Sequence, residues 1–124
     1  FFDNIDLITA VPTHWWRRFK RGFQAAEMLA ETIARAVNRP FDPAILKCQR
    51  STKKQGLLAS TSRQKNVQNA FGVNRPVLIQ GKSVLLIDDV MTTGATANEI
   101  SRILLRSGVE KVYVGVIARG ARVR

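Results

Sequence analysis

Apolar residues recur along this chain with two spacings, and the change between them marks its elements. Residues 5–11, IDLITAV, read as a strand that Pro12 closes, because proline has no N–H to give to a ladder. From about 23 to 37 the apolar positions Phe23, Ala26, Leu29, Ala30, Ile33, Ala36 and Val37 form one stripe at helical spacing. Asn38 and Pro40 stop that helix, and AILKC at 44–48 follows as a short strand. Residues 49–69 are polar, basic and weakly periodic, with Gly56 and five serines or threonines. So long an excursion inside a compact domain points to function. Residues 77–79 read as a short edge strand, and Gly81 and Lys82 turn the chain into a strand over 84–87. A second helix is predicted over 97–106, burying Ala97, Ile100, Ile103 and Leu104, with Gly108 as its stop. VYVGVIA at 112–118 is the last strand, and its near-continuous apolar run predicts burial on both faces.

The order strand, helix, strand, excursion, strand, helix, strand predicts an α/β domain. Its core is an open, mainly parallel sheet with flanking helices on both faces. In such sheets ligands gather at the carboxyl ends of the strands. Residues 12–21, the excursion and residues 88–96 all fall at that edge.

Length keeps this picture to one domain over residues 1–124, enough to bury about two thirds of the extended surface without disulfides or a structural metal. The single cysteine, Cys48, forms no intrachain bridge, which fits a reduced, cytoplasmic setting. No signal-type segment and no apolar run of about eighteen residues occurs, so no membrane span is expected. An element begins within the first few residues and there is no initial methionine, so the chain reads as a fragment of a longer protein. The net charge of +11, from 20 basic and 9 acidic residues, predicts attraction to polyanions but does not choose among phosphate ligands and nucleic acid. The basic residues cluster in RRFKR at 17–21, between Lys47 and Lys65, and in the final RGARVR.

The chemistry concentrates in VLLIDDVMTTGAT, residues 84–96. Thr92, Thr93, Gly94, Ala95 and Thr96 offer backbone N–H groups and three hydroxyls in a turn where a helix begins, which is a phosphate site by geometry and by the helix dipole. Neither GxxxxGK[ST] nor GxGxxG is present, so this is not a P-loop or a dinucleotide fingerprint. Asp88 and Asp89 are costly at the end of a buried strand unless something binds them, and they suit the vicinal hydroxyls of a sugar whose 5′-phosphate lies in the turn.

This stretch resembles the phosphoribosyl-pyrophosphate motif of type I phosphoribosyltransferases, with the apolar run, acidic pair and TTGAT in register. The closer resemblance is to the ComF/GntX group, the competence-protein F type. It extends through AVPTHWWRRFKRGFQAAEMLA at 10–30 and KCQRSTKKQGLLASTSRQKNVQNAF at 47–71. Members of that group usually carry an amino-terminal, cysteine-rich zinc-binding segment that this sequence lacks, which agrees with a fragment.

The resemblance implies binding of phosphoribosyl pyrophosphate with Mg²⁺ carried by the substrate, and transfer of the phosphoribosyl group to a nitrogenous acceptor. By the same analogy Asp88 and Asp89 meet the ribose hydroxyls, and Thr92, Thr93, Gly94, Ala95 and Thr96 hold the 5′-phosphate. Val11, Pro12, Thr13 and His14 form the pyrophosphate loop, and residues 50–63 form a closing loop. Arg17, Arg18, Arg21, Lys53, Lys54 and Arg63 are the cations available to the pyrophosphate. The base-recognising hood is not legible. No general base is either, since Val90, Met91 and Thr92 stand where some relatives place a carboxylate after the pair. That leaves catalysis by positioning alone, or no catalysis, the latter in a second reading. In that one the pocket belongs to a competence or DNA-uptake protein that binds single-stranded nucleic acid without sequence preference, or other competence proteins.

Each assignment has a plainer competitor. The aspartates can serve the helix dipole, and Thr96 with Glu99 matches a capping box. His14 can be an ordinary loop histidine, and Trp15 and Trp16 can pack a core edge. The run at 17–21 can be a solvated face, Lys53 and Lys54 can serve solubility, and Cys48 can be a buried strand-end residue.

Overall fold

A computed structural model describes residues 2–12, 25–48, 70–91 and 94–119. Five strands and two α-helices build it: β1 (Leu7–Ala10), α1 (Ala25–Val37), β2 (Leu46–Cys48), β3 (Phe71–Val73), β4 (Ser83–Met91), α2 (Ala95–Arg106) and β5 (Lys111–Arg119). β4 lies between β1 and β5 in an all-parallel sheet, with Leu7 opposite Val84 and Leu86 opposite Val114. Phe41 adds a parallel bridge to Ile8 on the outer side of β1. β2 and β3 form a separate antiparallel pair.

Alternation along β1 and β4 sorts their side chains onto two faces. Ile8, Ala10, Leu85 and Ile87 pack with Ala26, Ala30 and Ala34 of α1. Leu7, Val84 and Leu86 pack with Ile100 and Leu104 of α2 and with Ile45, Leu46, Phe71 and Ile79. One helix therefore covers each face. On α1 the buried stripe runs through Ala34, while Ala36 is exposed, so that position of the expected stripe is corrected. Small residues four apart give α1 a flat side, and Leu29, Ile33 and Val37 flank it half-buried. Burying Ile100 and Leu104 completely stabilises the α2 side by about 1.5–3 kcal/mol each.

Four further expectations change. The strand over 84–87 continues to Met91, so Asp88 and Asp89 lie inside β4. Residues 77–79 are not an edge strand but part of a 3-10 turn, Pro76–Ile79. Arg75 is left-handed there (φ 47°), and Pro76 brings a fixed φ and no donor, which favours a turn over a ladder. β3 was not anticipated: it is only three residues long and contains Gly72. β5 is not buried on both faces. It occupies the edge of the described sheet, its residues 111–116 are exposed or half-buried, and Val114 is 41% exposed. Its apolar run does not alternate, which is what suggested a doubly covered strand. The excursion at 49–69 lies outside the described residues, and among those described no helix is long and apolar enough to cross a membrane.

Gly108 stops α2, as expected, at φ 106°, a backbone region side chains rarely enter. The Val109 N–H then returns to the Leu104 carbonyl at 3.2 Å, a Schellman-type closure.

Candidate functional site

β4 carries its acids to the carboxyl edge of the sheet. Asp88 follows Val84 and Leu86 in alternation, which puts it on the α2 side, and it is 5% exposed with Val116 as its neighbour on β5. Asp89 is the next residue of the same strand. The chain then re-enters described structure at Gly94, which is left-handed (φ 82°) and serves as the N-cap of α2. The first helical bond runs from the Asn98 N–H to the Gly94 carbonyl at 2.8 Å.

Gly94 has no side chain with which to cap this helix, and no acid occupies its first turn. The N–H groups that begin a helix have no intrahelical acceptors, and the dipole makes that end positive. A helix beginning this way beside a buried carboxylate is suited to a ligand that is anionic at one point and a hydrogen-bond donor at another. The Val11 N–H donates to the Ile87 carbonyl at 3.0 Å, which ties the end of the first strand to the residue before Asp88.

Of the expected site residues, Val11, Pro12, Asp88, Asp89, Gly94, Ala95 and Thr96 are therefore placed by the described backbone at this one edge. Thr13, His14, Arg17, Arg18, Arg21, Lys53, Lys54, Arg63, Thr92 and Thr93 lie outside the described residues, as do residues 50–63, Trp15 and Trp16. The capping-box alternative is removed. Thr96 sits one residue inside the helix, half-buried, and is not the N-cap. Glu99, 7% exposed, instead holds Arg102 through two hydrogen bonds of 3.1 and 2.7 Å. The hydrogen bonds to Glu99, and then its charge, raise the Arg102 guanidinium above its ordinary pKa. A raised pKa contributes stability that is lost only as pH climbs through it, so Arg102 stays charged at all usable pH. Cys48 is half-buried at the end of β2, packed against the core beside α2.

Two residues of interest were not anticipated. Thr9 is fully buried on β1, and its hydroxyl donates to the Asp42 carbonyl at 2.9 Å, fastening the 40–42 segment to the sheet. Arg75 is one of two left-handed non-glycine residues in the described chain. The Asn-Arg-Pro sequence at 74–76 is a turn signal that could have found it.

Three comparisons bear on this geometry. A family model described as the phosphoribosyl transferase domain matches residues 21–123. The DNA utilization protein YhgH of Escherichia coli (strain K12) is 35% identical over 114 residues, which are 92% of this chain and 49% of that protein. Competence protein F of Haemophilus influenzae is 35% identical over 115 residues, 92% of this chain and 50% of its own length. The chain thus spans about half the length of these relatives. Among solved structures, the glutamine phosphoribosylpyrophosphate amidotransferase of B. subtilis complexed with ADP and GMP superposes with a TM-score of 0.59. It is 22% identical, over 90% of this chain and 22% of the other, a likeness of fold.

Proposed function

Since the chain belongs to the phosphoribosyl transferase domain family, in the ComF-like branch of the type I enzymes, we propose that it binds phosphoribosyl pyrophosphate with Mg²⁺ and transfers the phosphoribosyl group to a nitrogenous acceptor. One observation carries this reading. A buried carboxylate, Asp88, ends the apolar part of β4 at the edge where α2 begins behind the left-handed Gly94, an N-cap without a side chain. A ribose 5-phosphate answers both features, with its phosphate on the helix N-terminus and its vicinal hydroxyls donating to Asp88 and Asp89.

In the transfer the bond from C1′ to the pyrophosphate oxygen breaks and a bond from C1′ to the acceptor nitrogen forms, while a proton leaves that nitrogen. Positive charge develops on the sugar and negative charge on the leaving group, so the protein's work is to hold both and exclude water. Asp88 and Asp89 orient the ring, and the α2 N-terminus fixes the phosphate. Val11, Pro12, Thr13 and His14 would receive the pyrophosphate, with cations drawn from Arg17, Arg18, Arg21, Lys53, Lys54 and Arg63. Carboxylate and hydroxyl oxygens are hard donors that suit Mg²⁺. Among the described residues no three His, Cys, Asp or Glu side chains group as a metal site. The ion would arrive on the pyrophosphate, with Asp88 and Asp89 nearby, and would neutralise charge on the leaving group.

Calorimetric titration with phosphoribosyl pyrophosphate and Mg²⁺ tests the assignment. Each hydrogen bond to a charged partner is worth about 1.5–3 kcal/mol, so a double variant Asp88→Asn, Asp89→Asn should bind at least about tenfold more weakly while its fold survives. Equal binding by the variant sinks the assignment. A screen of nitrogenous bases for pyrophosphate release identifies the acceptor.

The relatives' names support a second reading, in which the same domain serves DNA uptake or use through its charge of +11, contacting single-stranded nucleic acid or other competence proteins. That binding would be sequence-independent and fall steeply between about 50 and 200 mM salt. Tight oligonucleotide binding that persists at the higher salt, with no binding of the small phosphate, would favour this second role.

A further inference from the structure

The sheet has a second ligand-sized feature at its other edge. A cavity of about 490 Å³ opens where β1 begins and just before β4, with a wall of Leu7, Ile45 and Ile79. These three side chains are at most 8% exposed and belong to the core on the α2 side. Two cations, Arg75 and Lys82, stand on its lining with Leu78, which is 57% exposed. Among the described residues neither cation forms an ion pair. The carboxylate of Asp42, also on the lining, already accepts the Ala44 N–H at 2.9 Å.

We infer that this cavity is a binding site for a small organic anion, a phosphate or carboxylate head carried on an apolar or planar body. The cavity falls within the range of about 300–1,000 Å³ typical of small-molecule sites, and its apolar wall with a few convergent polar groups is the usual composition. The backbone supplies an independent reason. Arg75 is held left-handed (φ 47°, ψ 62°), where glycine or asparagine would sit at lower cost. The fold over-determines that conformation from both sides. Upstream, the Asn74 N–H donates to the Ile45 carbonyl at 2.8 Å and its side-chain amide to the Ala44 carbonyl at 2.7 Å. Downstream, the Leu78 N–H returns to the Arg75 carbonyl at 3.0 Å. The Arg75 backbone is thus held at a fixed point on the rim from which its side chain extends, and Lys82 gives a second charge there. Exposed Leu78 would be covered by the body of the ligand.

This site is distinct from the one at Asp88. Lys82 and Asp88 are six residues apart on extended chain, roughly 20 Å at about 3.3 Å per residue, too far for one small molecule to span.

Backbone amide shifts of the isotope-labelled chain, titrated with phenyl phosphate, benzoate, inorganic phosphate and benzyl alcohol, test the inference. The expected result is saturable shifts at residues 42, 44, 45, 74, 75 and 77–82 with one or both aromatic anions. Inorganic phosphate should bind several-fold more weakly and the neutral alcohol not at all. Which aromatic anion binds tighter tells a phosphate site from a carboxylate site. Arg75→Gly suits the left-handed backbone and should fold unchanged, yet bind at least about tenfold more weakly, and Lys82→Gln should also weaken binding. No saturable shift at those amides, or equal affinity in Arg75→Gly, overturns the inference. Shifts confined to residues 94–97 overturn it too, while leaving the reading of the Asp88 site intact.

Discussion

The two ends of β4 lead into different surroundings. At the amino end, the Asp6 N–H donates to the Ser83 carbonyl at 2.9 Å and the Ser83 N–H donates back to the Asp6 carboxylate at 2.9 Å. Next to them the Gly81 N–H meets the Gly108 carbonyl at 2.7 Å and the Glu110 N–H meets the Lys82 carbonyl at 2.8 Å. The starts of all three parallel strands are thereby laced together. At the carboxyl end the strand instead runs into Asp88 and Asp89, and the next helix starts at Gly94, an N-cap without a side chain. A rigid frame at one edge fixes the register, so the other edge can hold a buried carboxylate and helix donors that would be unfavourable in a loose structure.

If that division holds, substitutions should separate stability from ligand binding according to the end they touch. The largest loss belongs to neither end. Leu104 is fully buried in the core that supports both, and Leu104→Ala should cost about 2–5 kcal/mol in urea melts. The fraction that remains folded should still bind phosphoribosyl pyrophosphate normally. Next comes Gly108→Ala at the amino end. A Cβ there would come within 2.8 Å of the Gln80 side chain on a backbone already at φ 106°. Strain of this kind costs about 1–3 kcal/mol, and the expected signature is a lower unfolding midpoint with unaltered affinity.

Gly94→Ala should do the reverse. At φ 82° an alanine costs about 1 kcal/mol, so melts change modestly. The N–H groups behind it are the proposed phosphate donors, and re-aiming even one of them should weaken ligand binding roughly tenfold. A Gly94→Ala protein with normal affinity would separate the helix start from the ligand.

The carboxyl end was also the more legible end in the sequence. IDD followed by TTGAT is a local pattern, so its place where a strand runs on towards a helix could be read without knowing which strands neighbour it. Both helices were legible from periodicity, and β1, β4 and β5 from their apolar runs, for the same reason. What could not be read depends on contacts between distant residues. β3 is defined by pairing with β2, and the exposure of β5 by its place at the sheet edge. Ala34 replaces Ala36 on the buried stripe because α1 lies over Ile8, Leu85 and Ile87 at one rotation and not another. The cavity beside Arg75 joins residues 7, 42–45 and 74–82, three separated segments, and the apolar VLI at 77–79 disguised its turn as a strand.

The smallest effect tests the lacing itself. Asp6→Ala removes the carboxylate that accepts the Ser83 N–H but keeps the Asp6 N–H that donates to the Ser83 carbonyl. Asp6 is exposed, so water can replace the lost acceptor, and the cost should fall in the lower half of the usual range of about 0.5–1.5 kcal/mol for one hydrogen bond. The remaining bond and the apolar pairs Leu7 with Val84 and Ile8 with Leu85 should keep the register. Urea melts would therefore show a slightly lower midpoint with an unchanged slope, and titration with phosphoribosyl pyrophosphate would show no change. A fall in affinity larger than the fall in stability would mean that the amino edge sets the geometry at Asp88 along the length of β4, and the two ends would then have to be treated as one mechanical unit.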